Sequence, residues 1–300
     1  MSLLNSLIVK TLPIVPKSIV KAVASRYIAG ATLPDAVRVS KELAQKGASS
    51  TIDVLGEFVT SRERSVHEFE TASSVITAMH DNSLQSYLSV KLTSLGLDID
   101  QDFAFQNVRS LVKKAAGLGI FVRMDMENSP YTSITLDFYR RLRAEGFDNI
   151  GVVLQAYMRR TEDDIRSLLP LRPSVRLCKG IYIESPEIAI KEPDAIRANY
   201  KKMLRLLLDN GANVRIATHD DQLIDDAANY ISTQKVSKSQ YEFQMLLGVR
   251  EERRNEIIRA GHGMRIYVPF GSDWYGYSVR RLKENPQVAG YVLKAMFTGG

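Results

Sequence analysis

The sequence predicts an α/β fold in which eight strands, each followed by a helix, close into a (β/α)8 barrel of TIM type. Two observations predict it. Short β-branched or apolar runs recur, beginning near Thr51, Tyr87, Ile120, Ile150, Ser174, Asn213, Tyr241 and Met264. Between them lie longer stretches with helical periodicity, several closed by a glycine. Strand then helix, repeated, calls for parallel strands joined by crossovers, and eight units is the number that closes a barrel. An open doubly wound sheet shares the alternation and is the alternative architecture.

The strand runs read, in order, TIDVLG, YLSVKLT, IFVRMD, IGVVLQAY, SVRLCK, NVRIATH, YEFQML and MRIYVPF. Helical patterns cover residues 106–116, 133–144, 161–169, 193–208 and 221–233, with Gly117, Gly146 and Gly211 as stops. Residues 1–48 precede the first strand and read as helices. The pattern over 35–45 stops at Gly47. The expected organisation is therefore an N-terminal helical extension, 1–48, and a barrel catalytic domain, 49–300.

Composition narrows the function classes. The 300 residues are 45% hydrophobic and 25% charged, an ordinary globular balance that can bury a large core. Cys178 is the single cysteine, so no internal disulfide forms, which permits a reducing compartment. The formal net charge of +6 could attract nucleic acid or a membrane, but Lys and Arg are spread among nearly as many acids. The densest cluster, Arg-Glu-Glu-Arg-Arg at 250–254, reads as a solvated helix face. No interleaving of basic and aromatic residues suggests nucleic-acid binding. No apolar run reaches the roughly 18 residues of a membrane span. Residues 3–15 are apolar but interrupted by Asn5, Lys10 and Pro13 and lack the marks of a signal peptide. The expected location is cytoplasmic, with a peripheral membrane contact through this segment as an open role.

Barrel strands are expected to be apolar on both faces, so polar residues at their C-terminal ends need a reason. Lys91, Asp125, Gln155, Arg176, Lys179, Thr218, His219 and Tyr267 all fall near such ends. Together they point to a site at the C-terminal face. Residues 274–281 read Trp-Tyr-Gly-Tyr-Ser-Val-Arg-Arg, and helical spacing puts Tyr277, Arg280 and Arg281 near one face. Paired guanidinium groups suit a carboxylate or phosphate. Glu284, three and four residues on, could instead pair with one of the arginines. Gly117-Leu-Gly119 and Gly261-His-Gly263 do not extend to a dinucleotide fingerprint, and no Walker loop or GxSxG elbow occurs. His67, His80, His219 and His262 form no metal-ligand pair, so no metal is expected. A Schiff-base role for Lys91 or Lys179, as in a lysine-dependent aldolase, stays open.

Eight stretches go further: IDVLGE (52–57), VKLTSLG (90–96), VRMDMENS (122–129), VLQAYMRRT (153–161), VRLCKGIYIE (175–184), IATHD (216–220), EFQMLLGV (242–249) and RIYVPFGSDWYGYSVRRLKENP (265–286). In this order they resemble the proline dehydrogenase family in its short, monofunctional bacterial form. The resemblance implies a distorted (β/α)8 barrel that carries FAD without a Rossmann fold. It further implies oxidation of L-proline to 1-pyrroline-5-carboxylate, the first step of proline degradation to glutamate, with electrons passed to a membrane quinone. By matching motif, Arg280, Arg281 and Lys91 would hold the proline carboxylate. Tyr267, Tyr277 and Leu246 would wall its ring. Asp125 would orient Lys91 and its neighbours, and Arg176 would approach the flavin ring. Met126, Gln155, Lys179, Gly180, Ile181, Thr218, His219 and Glu284 would complete the cofactor shell. The chain departs from the family pattern at Ile181, where alanine is common, at Gly276, where proline is frequent, and at Asp220, where asparagine is common. The bulk of Ile181 bears on pocket size and so on substrate range.

Overall fold

A computed structural model of the chain describes residues 26–275. Eight parallel strands close a barrel in sequence order: β1 Ser49–Val54, β2 Ser86–Val90, β3 Phe121–Met124, β4 Ile150–Gln155, β5 Ser174–Cys178, β6 Asn213–Ala217, β7 Tyr241–Leu246 and β8 Met264–Phe270. β8 pairs with β1 through Ser49–Arg265 to Val54–Phe270, which removes both sheet edges. The doubly wound alternative is excluded.

The helices between strands are α2 Arg62–Asp81, α3 Gln101–Gly117, α4 Ser129–Ala144, α5 Thr161–Leu168, α6 Pro193–Asp209, α7 Asp221–Thr233 and α8 Glu251–Arg259. Their starts lie where caps allow. α3 opens five residues before the expected pattern, because the Asp100 side chain accepts from the Phe103 amide. α4 opens at Ser129 with proline in its first turn, which needs no donor there. Gly117 is the last residue of α3 rather than its stop, and the left-handed turn falls on Gly119, φ +67°. The cluster 250–254 is not uniformly solvated. Arg253 pairs with Asp221, Asp225 and Glu256, whereas Arg254 is buried.

Before β1, α1 Leu33–Gln45 packs against β8 and β1, and Ser50 Oγ donates to Ser40 Oγ at 3.0 Å. This is the seat that a helix following β8 takes in a regular barrel. The chain leaving β8 turns at the C-terminal rim, where Trp274 packs on Ile28 and Leu55 and Asp273 receives Arg64 Nη2 at 2.7 Å. No helix among the described residues is long and apolar enough to cross a membrane.

Strand alternation sorts the barrel wall into two faces. Ile52, Leu88, Val122, Val152, Val175, Val214, Phe243 and Ile266, one from each strand, are buried between sheet and helices. The intervening residues face the interior, and that face is polar, contrary to the expectation of strands apolar on both sides. Arg123 Nη1 donates to the carbonyls of Val152 and Ser174 at 2.8 and 2.6 Å. Arg265 Nε donates to Glu242 Oε1 at 2.7 Å, and Arg215 Nε stands 3.6 Å from the same oxygen. Burial and the nearby Arg176 and Arg215 charges pull the Arg123 guanidinium down to about 9. An ion inside a barrel is tolerated only when its partners are supplied from several strands at once, as they are here.

Candidate active site

The polar interior rises to a cluster at the C-terminal mouth, centred on Asp125, the residue after β3. Its Oδ1 accepts from Arg176 Nη1 at 2.6 Å and Ser89 Oγ at 2.8 Å, and its Oδ2 accepts from Tyr267 Oη at 2.7 Å. Lys91 Nζ stands 3.7 Å from Oδ2. Lys91 also donates to Asp53 Oδ1 at 2.7 Å and Tyr267 Oη at 3.3 Å. The Arg176 guanidinium lies 5.3 Å from the Tyr267 ring centroid. These bonds join β1, β2, β3, β5 and β8 across the barrel mouth, so the arrangement depends on closure of the sheet.

Burial shapes the protonation of the cluster. It opposes the Asp125 charge, but Arg176 and Lys91, with bonds from Tyr267 and Ser89, hold this carboxyl below the usual range. Burial pushes Asp53 up to about 6 against the pull of Lys91, and the Asp125 charge adds to the push. The shorter lysine contact therefore goes to the carboxylate that is easier to protonate. Burial also opposes the Lys91 charge, but Asp53 and its neighbours outweigh it and hold the amine well above its ordinary value. A Schiff-base lysine needs a neutral amine, so this environment disfavours the aldolase reading at Lys91. Burial, then Asp125, keep Tyr267 protonated as a donor.

The other sequence-expected residues surround this cluster. Gln155, at the end of β4, donates from Nε2 to the Glu127 carbonyl at 3.1 Å, and Met126 is buried beside it in sequence. Thr218 is buried, and His219 Nε2 accepts from the Leu246 amide at 3.0 Å. Lys179 Nζ donates to Asp220 Oδ2 at 3.0 Å, which also receives Arg197 Nε at 2.8 Å. Asp220 additionally caps α7, accepting from the Gln222 amide at 3.2 Å. Gly180 sits at φ +110°, and a Cβ there would come within 2.1 Å of the Tyr157 ring, so only glycine fits without displacing it. Ile181 is 47% exposed, so part of its extra bulk over alanine faces solvent. Tyr277, Arg280, Arg281, Glu284 and Gly276 lie outside the described residues, as do residues 3–15.

Several participants were not singled out from the sequence: Asp53, Ser89, Glu127, Glu242 and Gln244. Glu127 lies beyond the end of β3, but for the other four the signal is alternation. A polar residue two positions from another inside a strand faces the same interior, as in Glu242-Phe-Gln244. Among the described residues, no cluster of His, Cys, Asp or Glu suits a metal ion.

Glu127 yields a stability prediction. Its Oε1 accepts from Thr93 Oγ1 at 2.5 Å and its Oε2 from the Thr93 amide at 3.2 Å, yet burial pushes the carboxyl up to about 7 from 4.5. A carboxyl that binds its proton more tightly when folded stabilises the fold below its unfolded value. That contribution is lost as pH rises through the folded value. Between pH 5 and 8 the wild type should lose about 2–3 kcal/mol relative to Glu127→Gln. Urea unfolding at both pH values reads this directly, and parallel pH dependence of the two proteins would refute it.

Three comparisons place the chain. The proline dehydrogenase family profile matches residues 36–293. Proline dehydrogenase 1 of Bacillus subtilis (strain 168) is 37% identical over 273 residues, covering 91% of this chain and 90% of that protein. Proline dehydrogenase of Deinococcus radiodurans is 33% identical over 280 residues, covering 92% and 90%. Among solved structures, proline utilization A (PutA) from Bdellovibrio bacteriovorus, inactivated by N-propargylglycine, superposes with a TM-score of 0.82 at 25% identity. That match covers 88% of this chain and 33% of the other, so the chain spans about a third of that larger protein. Bradyrhizobium japonicum PutA, at 20% identity and a TM-score of 0.75, shares the fold. The chain belongs to the proline dehydrogenase family.

Proposed function

We propose that the chain oxidises L-proline to 1-pyrroline-5-carboxylate at the C-terminal mouth of the barrel, with FAD as its cofactor and a quinone as the final acceptor. When bound, the flavin supplies a two-electron acceptor for the hydride leaving the ring carbon next to the nitrogen. The observation that carries the reading is the Arg176–Asp125–Lys91–Tyr267 cluster. The donor set fits an electron-accepting ring. Arg176 Nη2 is a buried donor with no acceptor among the described residues, and it sits beside Asp125 and Tyr267. A fixed cation next to an isoalloxazine favours its electron-rich reduced state. Gln155, Met126, Lys179, Gly180, Ile181, Thr218 and His219 would hold the rest of the cofactor, and Glu284 would join them.

The chain's own residues then divide the remaining work. Arg280, Arg281 and Lys91 would fix the proline carboxylate, and Tyr267, Tyr277 and Leu246 would confine the ring. Fixing both ends of so small a substrate sets the reacting carbon at a productive distance. Support for the arginine pair comes from the rim position of residues 273–275, which lead directly into the segment that carries it. Asp125, held ionised, acts as an orienter that keeps Lys91, Arg176 and Tyr267 in register and does not carry a proton. Peripheral contact with a membrane through residues 3–15 would bring the quinone to the reduced enzyme.

The purified protein should be yellow, and anaerobic addition of L-proline should bleach the flavin bands; hydroxyproline reports how far the pocket tolerates a larger ring. A protein that remains colourless after reconstitution with FAD overturns the cofactor, and a yellow protein unbleached by proline overturns the substrate.

A further inference from the structure

Arg176 has three nitrogens that donate, and the protein accounts for two of them. Nε donates to Gln244 Oε1 at 2.7 Å and Nη1 to Asp125 Oδ1 at 2.6 Å. Nη2 is buried and has no acceptor among the described residues. How the guanidinium plane is turned therefore depends on the Gln244 amide. Gln244 Nε2 donates to Glu242 Oε1 at 2.7 Å. Glu242 in turn receives Arg265 Nε at 2.7 Å and faces Arg215 Nε at 3.6 Å.

These contacts leave the amide one orientation. A guanidinium nitrogen only donates, so Arg176 requires the amide oxygen. An ionised carboxylate only accepts, so Glu242 requires the amide nitrogen. Burial works against the Glu242 charge, but Arg265 and Arg215 outweigh it and keep the carboxyl below the usual range. Glu242 and Gln244 are two apart on β7 and share the interior face, so their contact is built into the strand. Arg265 is anchored as well, donating from Nη1 to the Ser50 carbonyl at 2.7 Å. A continuous chain of donors and acceptors runs from β8 and β1 through β7 to the guanidinium on β5.

We infer that Gln244 and Glu242 are positioning residues for the guanidinium at the cofactor: Glu242 locks the Gln244 amide, and Gln244 with Asp125 turns Arg176 so that Nη2 is the donor left for the flavin. This rests on the reading that Arg176 faces the flavin. Both act through Arg176, which Gln244 reaches directly and Glu242 through Gln244. The arrangement resembles the supporting shell that orients a first ligand at a metal site, transferred here to an organic acceptor.

The test is the midpoint potential of the bound flavin in the holoenzyme, measured against reference dyes, for wild type, Gln244→Leu, Glu242→Gln, Glu242→Leu and Arg176→Lys. In Gln244→Leu, Arg176 loses its Nε acceptor. The reduction equilibrium should move about tenfold toward oxidised flavin, about 30 mV for a two-electron couple. Glu242→Gln is nearly isosteric and guards against a failure to fold. Its amide oxygen can still accept from Gln244 Nε2, so it removes the charge alone and should leave the reduction equilibrium in place or move it toward reduced flavin. Glu242→Leu removes the acceptor as well, and a severalfold shift toward oxidised flavin is expected. A Glu242→Leu potential that matches or exceeds that of Glu242→Gln overturns the positioning role. An unchanged potential in Gln244→Leu beside a shifted one in Arg176→Lys also overturns it, while the flavin reading stands. An unchanged potential in Arg176→Lys removes the reading of Arg176 itself.

Discussion

Asp125→Ala should slow flavin reduction by proline about a hundredfold or more and cost about 3–5 kcal/mol of folding stability. Both effects have one cause. Asp125 is the acceptor for Arg176, Tyr267 and Ser89 and the second counter-charge of Lys91. Its removal takes the shared counter-charge from two buried cations, Arg176 and Lys91, with Asp53 as the remaining anion beside Lys91. Asp125→Asn keeps one acceptor oxygen and should recover part of the stability but little of the rate, because an amide cannot accept on both sides. Denaturant unfolding and anaerobic stopped-flow reduction separate the two readouts. A variant with normal turnover would show that the cluster is structural only.

Arg281→Met should raise the proline concentration needed for half-maximal reduction by roughly 10- to 150-fold, the equivalent of one charge-assisted contact of about 1.5–3 kcal/mol. The maximal rate should fall less, since Tyr267 would still confine the ring. Arg280→Met should act in the same direction. Measuring flavin reduction at saturating and subsaturating proline checks both. An unchanged constant in each single variant removes the carboxylate clamp.

Much of this molecule is legible in its sequence, for identifiable reasons. The eight strands could be found because each places a buried aliphatic or aromatic residue on its outer face between two turn signals, as Val122 and Phe243 do. The helices α5, α6 and α7 could be bounded nearly to the residue, helped by the acidic first turn of α5 and the proline that opens α6. α2 was harder to read, since Ser65 and Glu68 are buried along with Ala72, Val75, Ile76 and Met79 and dilute its apolar stripe. Lys91, Asp125, Arg176 and Tyr267 were visible as polar residues near strand ends. Their mutual bonds were not, because pairing across a barrel mouth depends on closure and register.

The polar lining was the larger surprise. Reading barrel strands as apolar on both faces treated Arg123, Arg215, Glu242 and Arg265 as incidental, although each alternates strictly with an aliphatic or aromatic neighbour. A side chain such as Arg123, fully buried, is stable only because carbonyls of two neighbouring strands reach it. Local sequence carries no record of partners that distant. The same limit applies to Asp53, whose carboxylate meets Lys91 from a strand 38 residues away in sequence.

The most direct measurement is a crystal structure of the FAD-loaded protein with a five-membered cyclic carboxylic acid that lacks the ring nitrogen and so cannot be oxidised. Arg176 Nη2 should lie within about 3 Å of a flavin ring atom, with Arg280 and Arg281 both donating to the ligand carboxylate. Arginines at 280 and 281 turned to solvent, or a flavin seated away from Arg176, would contradict the central claim.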